Sequence, residues 1–278
     1  MERLEAAMAK ARAARNDALG TIPTSPTDGA LPQAADPAQG DTGDWARLPQ
    51  IAITPRLARR KRLHAILGPE FSTPYDILRS RVVRQMQQAG WTRVALTSPN
   101  TKCGKSTISL NLALSLARYG QFKVILMDFD LRRPTIASLL EQKTSADIEA
   151  LLRGGAQFAD HAVRYGNNLA ICASRTPVGH SAELLQGRAT QEALDRIEAA
   201  WKPDVMIFDT PPMQGNDDNL GFFARIDCAL VIAAAGSSTL PQIDRCEQEV
   251  AKLTNVLGTV LNKSRYTDKS SGDDQSYY

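Results

Sequence analysis

Residues 98–107 constrain the fold more than any other part of this sequence, because they join a short apolar run to a helical pattern. They read Ser-Pro-Asn-Thr-Lys-Cys-Gly-Lys-Ser-Thr. The second half, Gly104-Lys105-Ser106, fits the phosphate-binding loop consensus, whereas Pro99 stands where that consensus has its first glycine. Such a loop binds phosphate only when it lies between a strand and a helix. The segment therefore predicts a β–loop–α unit with a phosphate site.

Each part of the loop has a chemical role in that site. Gly104 permits a close approach of the backbone, and Lys105 supplies a point charge for the β- and γ-phosphates. The Ser106 hydroxyl is the expected Mg²⁺ ligand, and Thr107 is placed to bind the α-phosphate. We therefore expect nucleotide phosphates and Mg²⁺ at this loop, and the family resemblance given below implies that the nucleotide is ATP. The predicted nucleotide-binding residues of the loop are Thr101, Lys102, Cys103, Gly104, Lys105, Ser106 and Thr107.

Two further apolar runs end in aspartate. Residues 124–128 read Val-Ile-Leu-Met-Asp and continue as Phe-Asp-Leu-Arg, so Asp128 and Asp130 follow a buried strand. Residues 205–209 read Val-Met-Ile-Phe-Asp, which matches a Walker B strand that holds Mg²⁺ through Asp209. Because parallel strands present their carboxyl ends at one edge of a sheet, we expect these carboxylates to lie beside the phosphate loop.

The rest of the chain continues this alternation of strands and helices. It predicts an α/β fold with a mostly parallel sheet and helices on both faces. The predicted strands are residues 94–98, 124–128, 169–172, 205–209, 229–233 and 256–261, and the predicted helices are 75–88, 105–119, 189–201 and 241–253.

The composition changes along the chain and predicts four regions. Residues 1–19 form a short helix with a weak apolar stripe, and the polar, Pro- and Gly-punctuated residues 20–71 form a disordered linker. The ordered domain spans 72–265, and residues 266–278 form a mobile tail. Within the linker, Arg56 and Arg59–Arg62 form a basic cluster. That cluster is either a solvated surface or a contact for anionic lipid.

Composition excludes several other classes of protein. Lysine and arginine number 33 against 30 aspartates and glutamates, and a net charge of +3 does not favour nucleic acid as a partner. No apolar run approaches the length of about 20 residues that spans a membrane, and no secretory signal opens the chain. The four cysteines form no closely spaced pair. We expect a cytoplasmic protein.

Together these motifs resemble the bacterial tyrosine kinase family, the cytoplasmic autokinases of capsule and exopolysaccharide export, which are P-loop ATPases related to ParA and MinD. The resemblance covers residues 72–265. Asp128-Phe129-Asp130-Leu131-Arg132 fits the family's modified Walker A′ motif. Ala182-Glu183-Leu184-Leu185, Asp218 and Val260-Leu261-Asn262-Lys263 match further positions. In the helix around Tyr75, Asp76 stands where the family usually has arginine.

The resemblance implies roles for named residues. Lys105, Asp128 and Asp130 would be catalytic, with Asp128 the base for the accepting hydroxyl. Ser106, Asp128 and Asp209 would hold Mg²⁺, and Asn262 would contact the adenine. Arg79 matches a position used in ring assembly. The predicted phospho-acceptors, modified by a neighbouring copy, are Tyr266, Tyr277 and Tyr278.

The resemblance also implies partners. Members without a membrane span work with a separate membrane protein, a polysaccharide co-polymerase that regulates chain length and activates ATP binding. This chain would therefore be recruited to the inner face of the cell membrane and would form homo-oligomers. Its expected function is autophosphorylation that regulates polysaccharide polymerisation and export.

Two other functions stay open on the sequence. The first is a ParA- or MinD-like switch ATPase without kinase activity. Those proteins usually carry lysine at the second position of the loop, where this chain has Asn100. The second is an interaction protein that has kept nucleotide binding without catalysis. All three share a fold, so the fold does not decide between them.

Overall fold

One twisted sheet is the frame of the molecule. The computed structural model describes residues 43–142, 146–215 and 217–264. Within these ranges the sheet has seven strands, in the order β3-β4-β2-β5-β1-β6-β7, and only the β3–β4 pair is antiparallel. The predicted α/β fold is confirmed. In chain order the strands are β1 (Arg93–Thr97), β2 (Val124–Asp128), β3 (Ala162–Tyr165), β4 (Leu169–Cys172), β5 (Val205–Asp209), β6 (Cys228–Ala234) and β7 (Asn255–Asn262).

Helices connect the strands and cover both faces of the sheet. Two single-turn 3-10 helices, His64–Ile66 and Phe223–Arg225, accompany them. The α-helices of the described residues are α1 (Gly43–Arg47), α2 (Pro55–Lys61), α3 (Pro69–Ala89), α4 (Lys105–Tyr119), α5 (Ile136–Leu139), α6 (Ile148–Leu152), α7 (Phe158–His161), α8 (Ser181–Gln186), α9 (Arg188–Trp201), α10 (Asp218–Phe222) and α11 (Leu240–Ala251).

Side chains along each strand alternate between two separate hydrophobic clusters. In β2, Val124 and Leu126 pack in the cluster that contains α3 and α4, whereas Ile125 and Met127 pack in the cluster that contains α9 and α11. All five residues of β2 are buried. Burial on both faces explains why the central strands are continuous apolar runs in the sequence rather than alternating ones.

Helix α4 has the limits that the sequence predicts. It begins at Lys105 and ends at Tyr119, where Gly120 adopts φ 78° and donates its N–H to the carbonyl oxygens of Leu116 and Ala117. Glycine suits this position because a left-handed residue carries no Cβ penalty there. The helix packs between the sheet and α3, so its apolar residues face several directions.

The edge strand β3 was not predicted. It has four residues and runs antiparallel to β4, with Val163 opposite Ile171. A run this short does not establish a period of two in the sequence.

The predicted linker is wrong for residues 43–71, which belong to the ordered domain. Trp45 is buried beside α9, where its Nε1 donates to the Trp201 carbonyl at 3.2 Å and the two rings meet edge to face. Leu63 and Ala65 are fully buried, and the Ala65 N–H donates to Asn111 Oδ1 of α4 at 2.9 Å. The apolar residues of this segment are sparse because each fills a separate site on the domain. The predicted helix over residues 1–19 and the tail over 266–278 lie outside the described residues.

The basic cluster of α2 is partly neutralised within the chain. Arg60 and Lys61 both pair with Glu141, the latter at 3.6 Å, while Arg56 and Arg59 are exposed. Contact of this cluster with a lipid surface stays a prediction. None of the described helices combines the length and the hydropathy needed to cross a membrane.

A charged network joins α3 to α4. Asp76 Oδ1 accepts from Arg79 Nη1 at 2.9 Å and from Ser115 Oγ at 2.7 Å, and Arg118 pairs with the same carboxylate. The Arg79 guanidinium also lies 4.5 Å from the centre of the Tyr119 ring. Arg79, which the resemblance assigns to ring assembly, is therefore engaged within its own chain. Assembly itself stays a prediction.

Candidate functional site

The phosphate loop lies between β1 and α4, as the sequence predicts. Lys102 and Gly104 both adopt positive φ, 62° and 94°, so the loop turns sharply before α4 begins at Lys105. The first turn of a helix leaves backbone N–H groups without intrahelical partners, and the helix dipole favours an anion there. Ser98 closes the start of the loop, since its Oγ donates to the Asn100 carbonyl at 2.6 Å.

The end of β7 braces this loop from one side. Asn262 Nδ2 donates to the Cys103 carbonyl at 2.8 Å, and Lys263 Nζ donates to the Lys102 carbonyl at 2.6 Å. A Cβ at Gly104 would lie 2.3 Å from Asn262 Nδ2, so any other residue would force the Asn262 amide away from the loop. Asn262, the predicted adenine contact, therefore also holds the loop that binds phosphate.

The start of α11 braces the same loop from another direction. Asn100 Nδ2 donates to Gln242 Oε1 at 3.0 Å, and this oxygen also accepts the Thr239 N–H in the capping box of α11. Cys103 is fully buried, with its Sγ 3.6 Å from Ser238 Oγ. Asn100, at the position where switch ATPases carry lysine, is thus committed to a contact within its own chain.

Asp128 and Asp209 end neighbouring parallel strands and are opposite each other in register. Both side chains are fully buried. Asp128 Oδ2 accepts the backbone N–H groups of Thr135 at 2.8 Å and Ile136 at 2.9 Å, which fixes the start of α5. Burial raises the pKa of Asp128 well above its ordinary value, and the Asp209 charge raises it further against the two backbone donors.

Asp209 has one satisfied and one unsatisfied oxygen. Its Oδ1 accepts from Ser109 Oγ of α4 at 3.0 Å, whereas its buried Oδ2 has no hydrogen-bond partner among the described residues. Burial raises the pKa of Asp209 to about 6, although the Ser106 hydroxyl and the Lys105 charge oppose the shift. A buried carboxylate oxygen without a partner is costly unless a ligand completes the site.

A cavity of about 550 Å³ opens in front of the loop. Its size is within the usual range of small-molecule sites. Asp130 is in its wall, and burial raises the pKa of Asp130 while the positive charge of Lys105 lowers it. Among the predicted site residues, those that line the cavity are Thr101, Lys102, Gly104, Lys105, Ser106, Thr107 and Asp130.

Other predicted residues lie at this edge of the sheet without lining the cavity. Cys103, Asp128 and Asp209 are fully buried, and Asn262 contacts the loop itself. The predicted acceptors Tyr266, Tyr277 and Tyr278 lie outside the described residues.

The sequence prediction gave no role to several residues of the cavity wall. Arg132 and Arg133 follow Asp130 at the end of β2, a place where ligand-binding residues are expected in such sheets. A signal was therefore present in the sequence. The other wall residues not predicted are Thr135, Leu139, Pro211, Pro212, Gln214 and Gly215.

The residues present fit the Mg²⁺ that the loop implies. The unpartnered Asp209 Oδ2 is a free ligand oxygen, and the Ser106 hydroxyl is close enough to influence Asp209. Within the described ranges, no group of three or more His, Cys, Asp or Glu side chains forms a complete metal site. Mg²⁺ at a phosphate site usually takes only one or two carboxylates, with waters and phosphate oxygens as the other ligands. Ser106 and Asp209 therefore fit as protein ligands, and a contact of Asp128 with the metal stays a prediction.

Comparisons with known proteins agree with this geometry. A family model described as "ParA: NUBPL iron-transfer P-loop NTPase" matches residues 92–278. The tyrosine-protein kinase YwqD of Bacillus subtilis is 28% identical over 192 residues, which cover 68% of this chain and 77% of the relative. The tyrosine-protein kinase CpsD of Streptococcus pneumoniae is 27% identical over 174 residues, or 61% of this chain and 75% of the relative.

A solved structure shares the fold. The kinase domain of the Escherichia coli tyrosine kinase ETK superposes with a TM-score of 0.66 at 22% identity. The superposition covers 84% of this chain and 98% of that domain. At this identity the likeness concerns the fold.

Proposed function

This chain belongs to the ParA family of P-loop NTPases, and from that premise we propose that it is an ATP-dependent protein-tyrosine autokinase. It transfers the γ-phosphoryl group of ATP to tyrosines of a neighbouring copy, and this modification regulates exopolysaccharide or capsule polymerisation and export. The named relatives, which are tyrosine-protein kinases, support the kinase assignment.

One structural observation supports the chemistry most strongly. The carboxyl ends of β2 and β5 bring Asp128, Asp130 and Asp209 to the cavity edge at which Lys105 begins α4. Phosphoryl transfer depends mainly on positioning and on electrostatic stabilisation of the transferring group. A lysine, a metal-binding hydroxyl and carboxylates at one edge provide both.

The roles follow from the contacts of each side chain. Lys105 and the N-terminus of α4 bind the phosphates, while Ser106 and Asp209 hold Mg²⁺. When bound, Mg²⁺ neutralises charge that develops on the phosphate oxygens. Asp128 is the base implied by the resemblance, yet its Oδ2 accepts two backbone N–H groups. Asp130 lines the cavity, and its N–H donates to Asp128 Oδ1 at 3.3 Å. We assign proton acceptance to Asp130 and its positioning to Asp128.

The acceptors and the partner extend this proposal. Tyr266, Tyr277 and Tyr278 are the proposed acceptors, modified in trans within a homo-oligomer. A membrane polysaccharide co-polymerase is the proposed activator, and it recruits the chain to the inner face of the membrane. The exposed arginines of α2 are available for that contact.

The test is mass spectrometry of the purified full chain after incubation with Mg-ATP, with and without membranes of the source cell. We expect added phosphate on tyrosines of residues 265–278. Lys105→Ala should abolish it, whereas Lys252→Ala should not, because Lys252 pairs with Glu249 and does not line the cavity. Replacement of Tyr266, Tyr277 and Tyr278 by phenylalanine should remove the signal, while Tyr119→Phe on α4 should keep it.

The switch ATPase is the second candidate, since the ParA family includes nucleotide switches. ATP hydrolysis without phosphotyrosine, even with membranes present, would favour it. The loop argues against a switch ATPase, because the position of the switch lysine is taken by Asn100, whose side chain bonds Gln242 within the chain. Nucleotide binding with neither activity would indicate a non-catalytic interaction protein.

A further inference from the structure

Arg132 is held at the cavity wall by three side chains. Its Nε donates to Ser181 Oγ at 3.0 Å, and its Nη2 donates to Asp217 Oδ1 at 2.6 Å and to Asp218 Oδ1 at 3.0 Å. Ser181 and Asp218 open α8 and α10, so one guanidinium joins the starts of two helices. Phe129 and Leu131 are buried on either side of Asp130, which fixes the backbone that carries the arginine.

The two aspartates differ in what they do for Arg132. Asp218 is fully buried, and its two carboxylate oxygens share the single O–H of Ser181, at 2.9 and 3.0 Å from Oγ, so it belongs to a satisfied network. Asp217 is exposed, and the guanidinium is the only partner of its carboxylate among the described residues. A single positive charge thus faces two carboxylates, one of them in solvent. The solvent-exposed pair is the weaker one and is readily exchanged for another anion.

The strand order shows which part of a nucleotide meets Arg132. The phosphate loop follows β1, and β7 lies on one side of β1 while β5 and β2 lie on the other. Asn262, the proposed adenine contact, ends β7. Arg132 follows β2, so it lies on the side of the loop opposite to Asn262. A nucleotide that extends from Asn262 across Lys105 presents its terminal phosphate there.

We propose that Arg132 binds the γ-phosphate of a bound triphosphate, and that Asp217 pairs with its guanidinium while no triphosphate is bound. Asp218 and Ser181 position the guanidinium at the cavity wall. Asp217 occupies its Nη2 until a triphosphate competes for it. Arginine suits this exchange because its planar fork bonds carboxylate and phosphate in the same geometry. The inference rests on the proposed function for the direction in which the nucleotide binds.

The test is calorimetric measurement of Kd for a non-hydrolysable ATP analogue and for ADP, each with Mg²⁺, on the full chain. Asp217→Asn should tighten analogue binding about two- to five-fold, as loss of an exposed competing pair predicts. ADP binding should change less than two-fold. Arg132→Lys keeps the charge near Asp218 but loses the fork, and it should weaken analogue binding about five-fold with little change for ADP.

The double variant isolates the proposed exchange. In Arg132→Lys, adding Asp217→Asn should bring no further tightening, because the competition needs the guanidinium. Glu192→Gln is the control, since Glu192 is an exposed carboxylate paired with Arg188 on α9.

Three outcomes would overturn the inference. In the first, Asp217→Asn leaves the Kd of the analogue unchanged. In the second, Asp217→Asn lowers the Kd of the analogue and that of ADP equally. In the third, adding Asp217→Asn to Arg132→Lys still lowers the Kd of the analogue. Each leaves the kinase proposal intact if wild-type protein still phosphorylates tyrosine. Absence of any nucleotide binding by wild-type protein would overturn both.

Discussion

Asp128 and Asp209 are direct register partners at the ends of β2 and β5, and both carboxylates are fully buried. Two acids so close cannot both be ionised without cost, and burial raises the pKa of each. The two carboxylates thus repel each other at the edge of the sheet where a metal and phosphates are expected. A site of this kind is less stable empty than loaded.

The first prediction concerns the pH dependence of stability. The pKa of Asp209 is raised to about 6 in the folded protein, against about 3.9 for an unfolded aspartate. Between these values the folded state binds more protons, so the free energy of unfolding falls as pH rises from about 4 to about 6. Asp209→Asn keeps an oxygen for Ser109 and should lack the contribution of Asp209 to this fall. At pH 8 without Mg²⁺ it should gain on the order of 2 kcal/mol relative to wild type, compared with their difference at pH 4.

Urea unfolding of both proteins in EDTA at pH 4, 6 and 8 measures this difference. Asp195→Asn is the control, because its exposed carboxylate pairs with Arg93 far from the buried acids. A difference between wild type and Asp209→Asn that does not change with pH would contradict the prediction.

The second prediction concerns Gly104. Its φ of 94° disfavours any side chain, and a Cβ there would overlap the Asn262 amide. Gly104→Ala should therefore weaken nucleotide binding at least ten-fold, since the Asn262 amide that holds the loop must shift. Gly236→Ala separates the two causes, because Gly236 also has positive φ, 75°, but no atom within 4 Å of its Cβ position.

Fluorescent nucleotide titration measures the effect, and thermal unfolding shows whether the fold is kept. If Gly236→Ala weakens binding as much as Gly104→Ala, contact with Asn262 is not the cause.

The third prediction separates the two acids that follow β2. Asp130→Asn should lower tyrosine phosphorylation by about 10²-fold or more without changing nucleotide affinity or unfolding temperature, because it removes the proton acceptor in the cavity wall. Asp128→Asn should also lower activity, but it should shift the unfolding temperature, since Asp128 Oδ2 holds the start of α5. Single-turnover kinetics with Mg-ATP measures the rate. Full activity in Asp130→Asn would return the role of base to Asp128.

Much of this architecture was predictable because the responsible interactions are local. The limits of β2, β4 and β5 follow from continuous apolar runs, and Gly104-Lys105-Ser106 marks the loop by itself. The bonds of Arg132 to Asp217 and Asp218 join residues about 85 positions apart, and no local pattern reveals them. Ordering of residues 43–71 was missed for the same reason.

The last prediction tests that ordered segment. Compared with a chain shortened to residues 43–278, one shortened to residues 72–278 should be strongly destabilised. The shorter form would lose the buried Leu63 and Ala65 and leave Asn111 Oδ1 of α4 without the Ala65 N–H that it accepts. Trp45→Ala in the full chain should cost about 3–5 kcal/mol, as for other large buried side chains.

Chemical denaturation followed by tryptophan fluorescence and circular dichroism measures these effects. Ile77→Ala on α3 is the control and should change stability by less than about 0.5 kcal/mol, because half of that side chain is exposed. Equal stability of the 43–278 and 72–278 forms would show that the domain begins at residue 72 after all. It would also mean that the contact of Trp45 with Trp201 contributes nothing to folding.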